Sequence, residues 1–142
     1  RKLLSEIMGL SPWTRPVNEH NAPRFPRREF VRITFVAGQA PVPCLVISPD
    51  ELSRTDPSLV VTLRTIPYRP EHEELATAVP LPKNLNLTWN GERRTLSLTL
   101  VRGVRNTTCV QPYCPIMALS QSFFDDEVQP RLEDLYGYQA AA

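Results

Sequence analysis

Glycine is scarce in this chain, with 5 in 142 residues. Phosphate-cradling loops and the Gly-x-Ser-x-Gly elbow of serine hydrolases need glycines at fixed spacing, and neither pattern occurs. Lysine is scarcer: only Lys2 and Lys83 occur, so arginine supplies 14 of the 16 basic residues. Net charge is also lacking. At +1 the chain carries no global field to steer it towards nucleic acid or a membrane. No apolar run approaches the roughly 20 residues of a membrane span. There is no initiator methionine and no signal-like segment, so Arg1 reads as an internal start, a processed product or a domain cut from a longer chain. Ala140, Ala141 and Ala142 read as a cloning remnant.

What is present describes one globular domain. Apolar residues make up 42% and charged residues 22%, which is ordinary for a soluble core. A chain of this length buries close to roughly 70% of its unfolded surface and needs no metal or disulfide staple. The 15 prolines disfavour long helices and favour short strands with rigid links. Arginine forks suit carboxylate, phosphate and aromatic partners better than lysine does.

Residues 1–9 suit a short helix, with Leu3, Leu4, Ile7 and Met8 on one stripe and Gly9 as its cap. A proline-rich extended arm follows to residue 29. From residue 30 the period becomes two. Residues 30–37 alternate Val31, Ile33 and Phe35 against Arg32 and Thr34. Residues 42–48 are nearly all apolar, as in a strand buried on both faces. Residues 49–58 form a polar loop with room for one helical turn, and 59–66 a third strand. A proline-bounded link around Glu71 to Ala76 holds a second helical turn.

Residues 85–100 read as a hairpin on an Asn90-Gly91 turn, which tolerates positive φ at both positions. This register pairs Trp89 with Glu92, Leu87 with Arg94 and Leu85 with Leu96. It sorts Leu81, Leu85, Leu87, Trp89, Leu96, Leu98 and Leu100 onto one face, and Thr88, Arg93, Thr95, Ser97 and Thr99 onto the other. Only Lys83, Glu92 and Arg94 are misplaced, all near ends where long side chains reach out to water. The second strand runs to about Val104, and another lies near Ile116 to Leu119. Phe124, Val128, Leu132, Leu135 and Tyr136 recur at helical spacing, with Pro130 splitting the segment. The pattern predicts a mainly β fold: an antiparallel β-sandwich or small open barrel of about six to seven short strands, with short peripheral helices at both termini. Its parts are a helix and arm over 1–29, a β domain over 30–121 and a helical segment over 122–139.

Several features are candidates for chemistry or contact. Cys109 and Cys114 are spaced to close a local disulfide. No paired His/Cys spacing supports zinc, so no metal is expected. Asn86 and Asn106 stand in N-glycosylation sequons. Arg24, Arg27, Arg28 and Arg32 interleave with Phe25 and Phe30, the composition of a single-stranded nucleic-acid surface. His72 among Glu71, Glu73 and Glu74 lacks a second histidine at i+4 and reads as a solvated helix start. Trp13, in its proline-rich arm, suits insertion into a pocket.

Together these features predict a non-enzymatic protein–protein interaction module from a larger protein. Its binding candidates are Trp13, Arg24, Phe25, Arg27, Arg28, Arg32, Phe124 and Tyr136. The expected partner is another protein or a second copy of the chain, with nucleic acid less favoured. No cofactor, no catalytic residue and no membrane span are expected, and an intracellular setting is preferred. The alternatives are a secreted or viral ectodomain with a Cys109–Cys114 bridge and glycans on Asn86 and Asn106, and nucleic-acid binding through residues 24–32.

Overall fold

The computed structural model describes residues 25–85, 87–89, 91–105, 109–113 and 115–137. The fold is mainly β. Among the described residues, seven strands form one antiparallel sheet: β1 (Phe30–Ile33), β2 (Val42–Val46), β3 (Val60–Pro67), β4 (Ala78–Pro80), β5 (Thr88–Trp89), β6 (Glu92–Val104) and β7 (Val110–Pro112). Their order is β4-β6-β3-β2-β1-β7, with β5 paired to the start of β6. A short helix α1 (Asp50–Thr55) links β2 to β3, and a 3₁₀ turn (Pro70–Glu74) links β3 to β4.

Alternation places each strand. On β1, Phe30 turns to one side of the sheet and Val31 and Ile33 to the other. On β2, Leu45 joins the first side and Cys44 and Val46 the second, so this strand is apolar throughout because both its faces are covered. The first side is the main core. There Phe30, Leu45, Leu63, Val79, Leu81, Leu96 and Leu98 meet Phe124, Val128 and Leu132 of the C-terminal helix. The second side gathers Phe25, Val31, Ile33, Cys44, Val46, Val60 and Val110.

Three expectations are corrected. The hairpin closes only at its tip, where Trp89 pairs with Glu92 and Thr88 with Arg93. Beyond it, β4 takes the place foreseen for Leu85 and Leu87: Val79 pairs with Leu96 and Pro80 with Thr95. The chain turns away at Pro82, whose carbonyl accepts from the Leu85 N–H at 3.0 Å. Thr95 and Ser97, placed on a solvent face by alternation, are buried, and His72 of the 3₁₀ turn packs over that face, 3.0 Å from the Thr95 hydroxyl. The strand foreseen near Ile116 to Leu119 reduces to one bridge between Glu29 and Ala118, and the ladder with β1 is made by Val110–Pro112.

Pro130 does not split the last helix. α2 (Gln121–Phe123) runs into a π turn (Phe124–Val128) and on into α3 (Gln129–Tyr136). The Gln129 N–H bonds back to the Phe124 carbonyl, five residues earlier. This widened turn precedes the residue that has no N–H to give, so the helix continues where a regular α-turn would clash. The expected N-terminal helix over 1–9 lies outside the described residues.

Phe124, foreseen as a surface anchor, is 1% exposed. Phe124→Ala should therefore lower unfolding free energy by about 3–5 kcal/mol in urea titration. A surface anchor would change it by less than about 0.5 kcal/mol.

Candidate functional site

Arg27, Arg28 and Arg32 of the 24–32 stretch disperse into the fold. The Arg27 guanidinium lies 4.6 Å over the Phe124 ring and donates to Gln129 Oε1 at 2.7 Å. Arg28 donates to the Leu119 carbonyl at 2.8 Å. Phe25 is buried in the second cluster. These contacts clasp the start of the sheet to the C-terminal helix, leaving neither Phe25 nor Phe124 available as a surface anchor. Tyr136 is half-exposed, and its hydroxyl donates to the Leu98 carbonyl. Trp13, Arg24, Asn86, Asn106 and Cys114 lie outside the described residues. Cys109 packs, partly buried, beside the second cluster.

Arg32 differs from its neighbours. It pairs with Pro43 on one side and Gln111 on the other, near the open ends of β1, β2 and β7. Its guanidinium stands 5.6 Å over the Tyr113 ring. Arg32 Nε and Tyr113 Oη are both buried without a hydrogen-bond partner, as is Arg27 Nε, but Arg27 has Gln129 for its other nitrogen. Unsatisfied polar atoms of this kind are rare in folded proteins and call for a ligand or a water.

Arg94 completes the group from β6. It is only 4% exposed, yet its partners are neutral. Nε donates to Thr65 Oγ1 at 3.0 Å and Nη2 to the Thr65 carbonyl at 2.9 Å. The Thr65 hydroxyl in turn donates to the Pro43 carbonyl at 2.7 Å. The β3–β6 register shifts between Leu63 and Thr65, so these donors and acceptors sit at an irregularity in the ladder, as functional bulges do. Among the described residues, Arg32, Arg64 and Arg94 form no ion pair; the basic residues that do are Arg54, Arg105 and Arg131.

The neighbourhood is desolvated. Burial pushes the Tyr113 phenol up to about 12, against the opposing pull of Arg32 and Arg94. Burial likewise pushes the Cys44 thiol up to about 12, against Arg64 and Arg94. Burial lowers the pKa of Arg94 itself. Cys44 is fully buried and protonated at neutral pH, and so is not a nucleophile. Tyr113 is a proton carrier across the physiological range. A buried cation bonded only to neutral groups is costly, and Glu92 offsets part of that cost at Arg94 electrostatically without forming an ion pair with it.

His72 stands apart from this group. It is buried, with Nδ1 accepting from the Arg69 N–H at 3.1 Å and 3.0 Å from Thr95 Oγ1. The ring shapes the 3₁₀ turn over β6 instead of meeting solvent, which corrects its reading as a solvated helix start. None of Thr65, Arg94 and Tyr113 was a site candidate from sequence. The one available signal was the charge at position 94 on a leucine-rich face, and Lys83 and Glu92 broke the same pattern.

The folded-state pKa of Tyr113 lies above its ordinary 10.0. The neutral phenol is thus favoured by folding, and stability falls once the unfolded chain ionises, between about pH 10 and about pH 12. Tyr113→Phe should flatten this fall in denaturation curves taken across that window, and should remove one late-titrating tyrosine from the ultraviolet difference spectrum.

No sequence family and no curated protein matches the chain. Solved structures do. An endoribonuclease in complex with its cognate antitoxin from a mycobacterial species aligns at a TM-score of 0.62 and 15% identity, over 82% of this chain and 98% of that one. A MazE–MazF structure from Deinococcus radiodurans aligns at 0.60 and 18% identity, over 80% and 97%. A second crystal form of it gives 0.59 and 17%, over 81% and 98%. At such identities the likeness is one of fold, a MazF-like β-barrel. It overturns the expectation of a non-enzymatic interaction module, since the same architecture carries an endoribonuclease. The fold makes up nearly the whole of those solved chains.

Proposed function

We propose that the chain is an endoribonuclease that cleaves single-stranded RNA at the Arg32–Thr65–Arg94–Tyr113 group. The observation that carries this reading is a buried arginine held by neutral partners beside a second guanidinium and a protonated phenol, with no carboxylate paired to either cation. The solved structures of similar fold support it, one of them an endoribonuclease.

The chemistry follows from what the site has and lacks. A phosphodiester gains charge on its equatorial oxygens at the transition state. Arg94, fixed by two bonds to Thr65, meets that charge without reorganising, and Arg32 adds its unsatisfied Nε. The site offers no activated nucleophile: the Cys44 thiol is protonated and the Thr65 hydroxyl is committed to Pro43. The attacking oxygen is therefore the substrate's own 2′-hydroxyl. It bonds to phosphorus, the bond to the 5′ oxygen of the next nucleotide breaks, and a 2′,3′-cyclic phosphate and a free 5′-hydroxyl result. The 2′ proton passes to water. Tyr113 protonates the leaving oxygen and is reprotonated from solvent.

We also assign the chain a protein partner, since the solved structures of similar fold include a complex with an antitoxin. An acidic segment on such a partner would meet the same unpaired guanidiniums.

The test is incubation of the purified chain with end-labelled RNA and DNA of one random sequence pool. RNA is cut to 5′-hydroxyl products, DNA is untouched, and a single 2′-deoxy substitution at the cut position blocks cleavage. Arg94→Gln lowers kcat by about 10²–10³, and Tyr113→Phe, which preserves shape, lowers it while leaving KM unchanged. Equal cutting of RNA and DNA, or intact RNA across the pool, refutes the assignment.

A further inference from the structure

The second half of β6 forms a sheet edge of its own. β4 pairs with Thr95, Leu96 and Ser97 of β6, and β5 with Glu92 and Arg93. Beyond them, among the described residues, no strand lies on the outer side of residues 99–104. Residues 99–103 are exposed, Leu100 and Val101 included. The strands at the two ends of the order are closed differently. β4 ends on Pro80 and β7 on Pro112, and proline blunts an edge because it has no N–H to offer. Residues 99–104 carry no proline.

The backbone groups of this edge are aimed outwards. The Val61 carbonyl accepts from the Ile47 and Ser48 N–H groups at 2.9 and 3.2 Å, so Val61 turns to β2. Alternation then turns Val60 and Thr62 to β6, where Val104 and Arg102 are their register partners. Val101 and Gly103 therefore point their N–H and C=O groups away from β3. The fold itself does not require glycine at 103. Its φ is not left-handed, and an added Cβ would stand 3.5 Å from Leu59 Cδ1, an ordinary contact. Glycine weakens a strand interior, and its remaining use there is the close approach of another chain, whose side chain can lie over the gap.

The two sides of the edge differ. Val101 pairs with Leu63 of the main cluster, so Val101 and Gly103 share the side that the C-terminal helix covers. Arg102 stands on the opposite side, with its guanidinium 5.3 Å from the Phe35 ring centroid. Among the described residues it forms no ion pair. An incoming strand thus meets apolar surface on one side and a cation on the other, at period two. A second copy fits poorly. Pairing Val101 of each copy with Gly103 of the other sets Arg102 directly across from Arg102, and like charges so placed repel.

We propose that residues 99–104 accept an extended segment of a partner protein as an added strand, antiparallel like every other pair in this sheet. The segment alternates apolar residues opposite Val101 and Gly103 with an acidic residue opposite Arg102. This reading rests on the assignment of a protein partner, not on the ribonuclease chemistry, and it docks that partner apart from the Arg94 group.

The experiment uses the full chain and labelled peptides that alternate glutamate and valine, titrated by fluorescence anisotropy. The peptide should bind. N-methylation of its valines should abolish binding, because their N–H groups face β6, and N-methylation of its glutamates should leave affinity unchanged. Arg102→Glu should weaken binding several-fold while RNA cleavage and thermal stability stay at the wild-type level. Gly103→Pro, which removes one outward donor at an edge position, should weaken it too. No binding, or an equal loss from both methylation patterns, overturns the added strand. A peptide of the same composition with its glutamates in one block, binding as tightly, overturns it as well, since charge alone then suffices. Binding lost in Arg94→Gln and kept in Arg102→Glu overturns the edge and leaves a protein partner at the first site. A dimer by light scattering that Gly103→Pro converts to monomer overturns it in favour of a second copy.

Discussion

The site depends on one buried cation held by neutral oxygen. Arg94 points into the leucine face of β6 and is satisfied by the hydroxyl and the carbonyl of Thr65. For that to hold, β3 must break register before Thr65, and β2 must bring the Pro43 carbonyl within reach of the hydroxyl. β6 must also lie between β3 and β4, so that its start is enclosed. The strand order, the irregularity in the ladder and the desolvated phenol at Tyr113 are each a condition for, or a consequence of, keeping that guanidinium out of water.

Local signals in the sequence were legible and long-range ones were not. The apolar run over 42–48 and the alternation in 30–35 each report chemistry within a few residues, and both hold strands; the innermost hairpin pair, Trp89 with Glu92, is also as expected. The outer hairpin pairs failed because β4 competes for the same edge of β6, and a competitor from elsewhere in the chain leaves no mark on local alternation. The Pro130 reading failed because a π turn absorbs the missing donor, an outcome that depends on how the helix packs. His72 looked solvated among glutamates, yet the 3₁₀ turn folds it against Thr95.

The functional reading failed for a related reason. The proposed site draws residues 32, 65, 94 and 113 from four parts of the chain, so no spacing announces it. Interleaved Arg and Phe in 24–32 looked like a ligand surface, but composition does not distinguish a guanidinium stacked on an internal ring from one that waits for a base. Arg27 on Phe124 is the first kind. The charge at position 94 was visible on the leucine face, where it broke the binary pattern.

The contact between Arg27 and Gln129 spans 102 residues of sequence. Kinetically, it is a closure that nothing near the beginning of the chain can make alone. The main leucine-rich cluster has Phe124, Val128 and Leu132 as one of its walls, and a nascent chain lacks that wall until its last helix exists. Topology of this kind raises contact order and slows folding. Until the helical segment over 121–136 packs, that face of the sheet is left open and apolar.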